Sequence, residues 1–539
     1  MSRPPEMSRR DLLGTIGKGA VVLGAGGLMA ACSGSSTPST TTTGTTSPPS
    51  SSVTTTSGAS TGPKRGGTLR AALGGGSSSD TLDALAPIQS TDFARTLNLF
   101  EQLTIYGPTG AVENLLAEEV TPNAKATSWT IRLRPDITWH NGKPLTAEDV
   151  IYTFQQITNS KSPAPGAPLL ARIDVANMKK LDALTVQVPC HTPYSTLRDA
   201  IAGWYFNVIP VGYDPKVPIG TGPFKASKFT PGEDSVFVRN DNYWQTGLPY
   251  LDSLVITDFA TETAQINALL SGEADVVDVL SAASIAAVHG GGAQILLSKT
   301  SGFTPLYMRR DAAPFKDVRV SQAMRLVCDR EEMLKLIFGG NGLLGNDIYG
   351  YADPAYDHQI PQRVQDIDKA KSLLRQAGQE NLQVTLTAAP IAQGTVQLAQ
   401  VFAEQASQAG IKVNVDLTTP GVEFGPNYAK FLFAQDYVIY TTYLTQIALS
   451  GLPSSPFPET HFNDPHYTDL FNQALATVDT TARYEIEHEM MLIDWNQNGS
   501  IIPYFYPTID GYTSHVHGVH TSVTGWPLGG YDFKSMWLS

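Results

Sequence analysis

The chain has 539 residues, 42% of them hydrophobic and 16% charged, and a formal net charge of −13. That length exceeds what one hydrophobic core organises and implies two or three domains. The acidic balance excludes a nucleic-acid partner bound through a basic face, and no window after the N-terminal segment reaches the length of a membrane span. Three cysteines, Cys32, Cys190 and Cys328, are too few for a disulfide framework. Cys190 and Cys328 either pair through the fold or stay as free thiols behaving as small apolar groups.

Ser8-Arg9-Arg10-Asp11-Leu12-Leu13 sets two arginines before a weakly apolar run, Gly14 to Ala31, which Lys18 interrupts. The run is too short and too rich in glycine for a permanent span. It resembles a twin-arginine export signal, with Leu12 where Phe is commoner. Its end, Leu28-Met29-Ala30-Ala31-Cys32, resembles a lipobox with Met29 where Leu is usual. The resemblance implies that Cys32 is acylated and begins the mature chain; the alternative is a plain secretory signal and a chance cysteine. Ser33 to Pro63 is a Ser/Thr/Gly/Pro tract with little to bury, expected to stay disordered as a leash.

Gly67 to Leu73 is the first expected strand, followed by Gly74-Gly75-Gly76, where a ligand or another backbone can approach closely. Phe93 to Leu103 reads as a helix. Trp129 to Arg134 alternates apolar and polar residues as a half-buried strand, and Asn141-Gly142 is a hairpin signal. Thr146 and Asp149 form a capping-box pattern for a helix to about Ile157. Gly220 and Gly222 are read as permitting unusual backbone angles at a rigid corner. Phe224 to Phe229 and Ser235 to Arg239 then make a hairpin about Pro231-Gly232, with Val236 and Val238 on one face. Asn240, Asp241 and Asn242 end it, and Tyr243 and Trp244 offer apolar surface to a core.

Further expected elements are a helix Thr263 to Leu270 stopped by Gly272, a strand Ala274 to Val279, a strand Ser301 to Arg309 and a long helix Asp317 to Phe338. A helix Asp368 to Ala377 ends at Gly378, a strand follows at Val384 to Thr387, a helix Leu398 to Ala409 ends at Gly410, and Ile411 to Leu417 alternate as a strand. Strand, helix and strand joined by short links indicate an α/β fold.

Five stretches together resemble one family. They are GTGPFKASKFTPGEDSVFVRNDNYW (Gly220 to Trp244), WTIRLRPDITWHNGKPLTAEDVIYTF, ALLSGEADVVDVL, PFKDVRVSQAMRLVCDREEML and the closing PLGGYDFKSMWLS. They resemble the family 5 extracellular solute-binding proteins, the peptide- and nickel-binding receptors of ABC importers. The resemblance runs from Gly66 to Ser539 in family order. It implies an α/β, two-lobed periplasmic-binding-protein fold (type II, cluster C) with an extra subdomain inserted in lobe I and a hinge between the lobes. The expected organisation is an export signal at 1–31, anchor and linker at 32–65, lobe I at 66–299 with the inserted subdomain at about 92–204, lobe II at 300–503 and a C-terminal return to lobe I at 504–539. The chain then crosses between lobes near Thr300-Ser301-Gly302 and near Pro503, which makes a hinge.

His488-Glu489 begins like a zinc-protease helix, but Leu492 stands where the second ligand belongs. Cys-x-x-Cys, a phosphate loop and Gly-x-Ser-x-Gly are missing. His515, His517 and His520 are candidate metal ligands, weighed against a solvated surface loop. The resemblance places ligand-binding residues at Gly75, Ser77, Phe303, Arg309, Thr442, Tyr443, Thr445 and Gln446. Thr445 or Gln446 stands where dipeptide-binding members carry an acidic residue for the ligand ammonium, and no cation stands near Tyr349 to Tyr351 for a carboxylate. A short zwitterion would be buried without counter-ions, so a longer peptide held by its backbone or an uncharged solute such as a saccharide is expected.

The reading is therefore a non-enzymatic, cofactor-free receptor, a monomer lipid-anchored on the outer face of the cytoplasmic membrane. It would deliver a solute, peptide-like first, to the permease subunits of an ABC importer. The alternatives are a receptor for a saccharide or a nickel or other metal chelate, and, in another class, a secreted hydrolase.

Overall fold

The computed structural model describes residues 62–539; the export signal, Cys32 and nearly all of the linker lie outside the described residues. Two sheets carry the architecture. The first is mixed and eight-stranded. Its order runs Gln294–Phe303, Tyr504–Tyr512, Val276–Val277, Thr68–Gly74, Ser253–Phe259, Asp234–Arg239 and Phe224–Thr230, with Leu343–Leu344 added against Tyr504–Tyr512. Leu69, Ala71 and Leu73 are fully buried in its centre, as a strand flanked by parallel neighbours requires. The second sheet has five strands in the order Lys412–Leu417, Gln383–Ala388, Phe433–Gln435, Leu306–Met308 and Ser500–Ile501. A four-stranded antiparallel sheet built from Ala117–Pro122, Ser128–Leu133, Thr185–Pro189 and Lys179–Lys180 stands apart from both. Among the described residues no helix is long and apolar enough to cross a membrane.

The chain passes from the first sheet to the second between Phe303 and Leu306, and returns between Ile501 and Tyr504. The two passages are hydrogen-bonded neighbours on both sides: Phe303 pairs with Phe505 in the first sheet, and Leu306 pairs with Ile501 in the second.

Several local expectations hold. Thr146 and Asp149 make the reciprocal capping box that starts the helix Ala147–Ile157. Gly272 takes a left-handed φ of 77° as the cap of Glu262–Ser271.

Others differ, each for a physical reason. The helix expected from Phe93 is Ser90–Leu99: Gln89 and Asp92 form its capping box, and Phe100 is already extended. The long helix expected from Asp317 to Phe338 is two helices, Val318–Leu326 and Arg330–Phe338, because the Asp329 carboxylate caps the second by accepting from the Glu332 N–H. The strand expected at Ser301 to Arg309 is the end of Gln294–Phe303 plus the separate Leu306–Met308, split where the chain changes sheets. The strand expected from Ala274 shortens to Val276–Val277. In the hairpin, Val236 and Val238 share one face as expected, and it is the outer one: Val238 is 41% exposed, while Ser235 and Phe237 are buried. The strand's bulkiest ring occupies the core, so the register follows Phe237. Cys190 and Cys328 are both free.

Gly220 and Gly222 are glycines for space and not for angle. Neither takes a left-handed φ. A Cβ at Gly220 would sit 1.8 Å from the Leu99 carbonyl oxygen, and one at Gly222 2.7 Å from it. Gly290, by contrast, has nothing within 4 Å of a built Cβ and ends a helix. Gly220→Ala is therefore expected to destabilise the protein by about 1–3 kcal/mol, and Gly290→Ala to be neutral or slightly stabilising; urea denaturation of the two variants against the parent checks both.

Candidate functional site

The corner at Gly220 lies over the end of the helix Ser90–Leu99, and the contact has a purpose in charge. Glu101, just past that helix, is 4% exposed. Its carboxylate accepts from the Thr221 hydroxyl at 2.8 Å, the Tyr243 hydroxyl at 2.7 Å and the Trp244 indole N–H at 3.0 Å. Burial raises the Glu101 carboxyl, and the bonds from Trp244, Tyr243 and Thr221 oppose that shift. The string from Gly220 to Trp244 is thus a cage around one buried acid.

Beside this cage lies a cavity of about 190 Å³. Its walls are the end of the helix at Leu97 and Asn98, the stretch Phe100 to Tyr106, Trp204, and the C-terminal segment from His520 to Lys534. That segment turns sharply: Leu528, Gly529 and Gly530 have φ of 51°, 71° and 90°. The turn is pinned by the Leu528 N–H donating to Asp510 at 2.7 Å, and the Tyr531 hydroxyl donating to Asp278 at 3.0 Å. Burial pushes Asp510 up to about 8 and Asp278 up to about 6. Trp204 and Trp526 meet edge to face at 5.1 Å, and Phe93 lies 4.6 Å from Trp526. The indole nitrogens of Trp204 and Trp526 are buried without a hydrogen-bond partner, each costing about 1–3 kcal/mol unless a bound group accepts from it.

Tyr106 connects the cavity to the seam between the first and second halves. Its ring meets Tyr440 at 5.2 Å, and the Tyr440 hydroxyl donates to the Gly110 carbonyl at 3.0 Å. Burial, then the Asp199 carboxylate, raise the Tyr106 phenol; hydrogen bonding with Thr442 and Thr445 opposes the rise. Further along, the Ser195 N–H donates to the Leu475 carbonyl at 2.8 Å, and Arg172 donates to Asn472 at 2.9 Å. The seam is shut. It also gathers acids from both sides: Asp199 faces Asp353 and Glu487, with Arg198 and Arg483 beside them. Burial, then Asp353, push Asp199 up to about 6, and burial, then Asp353, raise Glu487 well above the usual range.

Two sheets are joined by two neighbouring passages, and Tyr106, in the cavity wall, meets Tyr440 across the seam. Residues 111–459, more than half of the chain, match the profile described as bacterial extracellular solute-binding proteins, family 5 Middle. The chain belongs to this family. It is an exported, two-lobed solute-binding protein, and members of the family bind solutes instead of transforming them. The dipeptide-binding protein of Escherichia coli K12 is 23% identical over 468 residues, which span 78% of this chain and 85% of that one. In fold, the chain is similar to the oligopeptide-binding protein AppA from Bacillus subtilis in complex with a nonapeptide (TM-score 0.72, 18% identity, 89% of this chain and 100% of that one). It is also similar to NikZ from Campylobacter jejuni in complex with Ni(L-His) (TM-score 0.72, 18% identity, 87% and 99%).

The residues expected to bind ligand fall into separate places in this solute-binding protein. Thr442 and Thr445 bond to each other at 2.8 Å at the seam beside Tyr106. Gln446 is buried behind them, donating to Ser450 at 2.9 Å. Tyr443 turns inward: it is the first residue of a short helix, its N–H donates to Asp353, and its hydroxyl donates to Asp494 at 2.6 Å inside the second lobe. Phe303 is packed between Tyr349 and Phe505. Arg309 holds Asp311 through two bonds, at 3.0 and 2.6 Å. Gly75 and Ser77 belong to a turn over a buried ion network, in which Arg95 donates to Asp80 at 2.9 Å and to Asp258 at 2.5 Å, and Ser77 bonds Asp80 and Gln89. His515 contacts Asp275, His517 stacks on Trp537 and His520 lies 3.8 Å from Asp532, so the three histidines do not converge. Among the described residues no group of three or more His, Cys, Asp or Glu side chains is placed to hold a metal ion.

Sequence reasoning missed Tyr106, Trp204, Tyr440 and Trp526. The available signals were an aromatic directly before Gly107-Pro108 and another between Gly525 and Pro527, both places where a turn can present a ring.

Asp199 yields a signed prediction. Its folded pKa stands near 6 against about 4 for an ordinary aspartate. The folded protein therefore holds this proton more tightly, and stability declines as pH rises from about 4 through about 6 and remains lower above. Asp199→Asn cannot ionise, so it should raise stability by about 1–2 kcal/mol at pH 7.5 and leave it unchanged near pH 4. Calorimetric melts at the two pH values check this; an equal effect at both would contradict it.

Proposed function

We propose that this solute-binding protein is the receptor of an ABC importer, held on the outer face of the cytoplasmic membrane through an acylated Cys32. It captures a peptide-like solute between its lobes and presents the closed form to the permease. The carrying observation is the seam at Tyr106 and Tyr440, where a cavity of one lobe meets the other lobe across a two-passage hinge. A solute touching both sides would favour closure by its differential affinity for the closed form. The ligand-facing groups proposed at the seam are Tyr106, Tyr440, Thr442 and Thr445. The dipeptide and oligopeptide receptors among its relatives support the peptide reading. The low-complexity tract after Cys32 supports the tether, since a polar leash lets a folded body reach a permease in the same membrane. The proposal includes no catalysis and a monomeric state. The boundaries it uses are 66–299 with a subdomain at about 92–204, 300–503 and 504–539.

Native mass spectrometry of freshly purified protein is expected to reveal a co-purified solute. Adding that solute, or a mixed peptide digest, to stripped protein should reduce the radius of gyration in small-angle scattering. A solute that binds without any change of shape would overturn the capture mechanism, and release of cleaved peptide would favour a hydrolase. Cys32→Ser should move the protein from the membrane fraction to the soluble fraction; retention would overturn the anchor.

A further inference from the structure

The antiparallel pair Thr104–Tyr106 and Val112–Asn114 ends in a tight turn, in which the Gly107 N–H donates to the Ala111 carbonyl at 2.8 Å and the Gly110 N–H to the Gly107 carbonyl at 2.9 Å. Pro108 and Thr109 are exposed at this tip, but Gly110 is buried. A Cβ built on Gly110 would lie 2.8 Å from the Ala352 carbonyl oxygen, 3.0 Å from the Ala352 Cβ and 3.2 Å from the Tyr440 hydroxyl. All three atoms belong to chain that lies between the two passages, and so to the other lobe. The nearest of them is main chain, so a side chain at 110 fits only if the second lobe moves away.

The contact is bonded as well as tight. Tyr440, 1% exposed, donates its hydroxyl to the Gly110 carbonyl at 3.0 Å. Its N–H donates to the Thr524 carbonyl at 3.1 Å, and the adjoining Val523 N–H donates to the Pro108 carbonyl at 3.0 Å. On the other side, the Ala352 N–H donates to the Ser301 hydroxyl at 2.9 Å, on the strand that leads into the first passage. The tip is therefore held between the C-terminal segment and the second lobe. Opening the seam would exchange the Tyr440–Gly110 bond for water and lose the packing around Gly110.

We propose that the hairpin tip at 107–111 is the latch of the closed form, and that residue 110 is glycine so that the two lobes can meet. The latch sets how often the seam opens to admit or release solute. That role rests on the receptor reading, but the latch itself is tested without solute.

Hydrogen exchange resolved to single amides, on the purified protein, is the test. The Ser195 N–H donates across the seam to the Leu475 carbonyl, so its exchange reports opening; the Leu133 N–H donates to the Leu184 carbonyl within the subdomain and reports folding. Gly142 is the control: its φ of 81° is close to the 90° of Gly110, and nothing lies within 4 Å of its built Cβ. Alanine there carries the same backbone strain without the clash. Gly110→Ala is expected to speed Ser195 exchange about tenfold or more and Gly142→Ala to leave it unchanged, with Leu133 slow in both. Tyr440→Phe, which removes one bond and leaves both backbones alone, should speed it about fivefold. Free exchange of Ser195 in the parent, an unchanged rate in either Gly110→Ala or Tyr440→Phe, or an equal acceleration in Gly142→Ala overturns the latch. Where Gly110→Ala also exposes Leu133, Tyr440→Phe decides alone. Native mass spectrometry with a tryptic digest of casein as probe separates latch from receptor. Bound peptide with unmoved Ser195 exchange overturns the latch and leaves the receptor reading standing. Accelerated exchange in a protein that binds no peptide and carries no co-purified solute does the reverse.

Discussion

The structure depends on a two-stranded passage between its sheets. Gln294–Phe303 and Tyr504–Tyr512 pair in the first sheet, and their continuations Leu306–Met308 and Ser500–Ile501 pair in the second. Because the same two segments leave one sheet and enter the other side by side, any movement of one lobe must bend both. The return passage is anchored by charge: Asp347, fully buried, accepts from Arg330 and Arg363 and from the Ile502 N–H. Burial acts to raise Asp347, but Arg330 and Arg363 outweigh it, and the net shift is downward. A carboxylate held ionised between two arginines fixes where the second lobe begins, and the loss of one partner would strand the others in low dielectric.

Each lobe then spends its buried polar groups on positioning. In the first, the Glu101 cage ties the corner at Gly220 to the end of the helix Ser90–Leu99 and to Tyr243 and Trp244. Arg95 ties the turn after the first strand to the strands carrying Ser235 and Asp258. In the second, Asp494 collects the hydroxyls of Tyr443 and Tyr467. The Glu101 and Asp494 networks are satisfied internally, and with the Arg95 ion pairs they act as frame. The unsatisfied donors, Trp204 and Trp526, stand in the cavity wall.

Much of the frame was legible locally. The capping box of Thr146 and Asp149, the left-handed stop at Gly272 and the strand at Thr68–Gly74 follow from short-range chemistry, and each lies within a residue or two of its expected place. Where local reading went astray, a polar side chain had found a use that periodicity does not encode. Asp329 turned a continuous helical pattern into two helices, and Thr442 to Tyr443 began a short helix that carried Tyr443 into the core.

The sequence by itself determined the α/β grammar and the family, because caps, turns and the five quoted strings are written in consecutive residues. Only the tertiary structure decided which aromatics face the seam and what fills the cavity wall. Tyr106, Trp204 and Trp526 come from three segments far apart in the sequence. Their meeting depends on sheet order and on the two passages between lobes, which no local spacing records. The role of Gly220 shows the same division: glycine was legible there, but its reason, the Leu99 carbonyl pressed against it, exists only once the chain has folded.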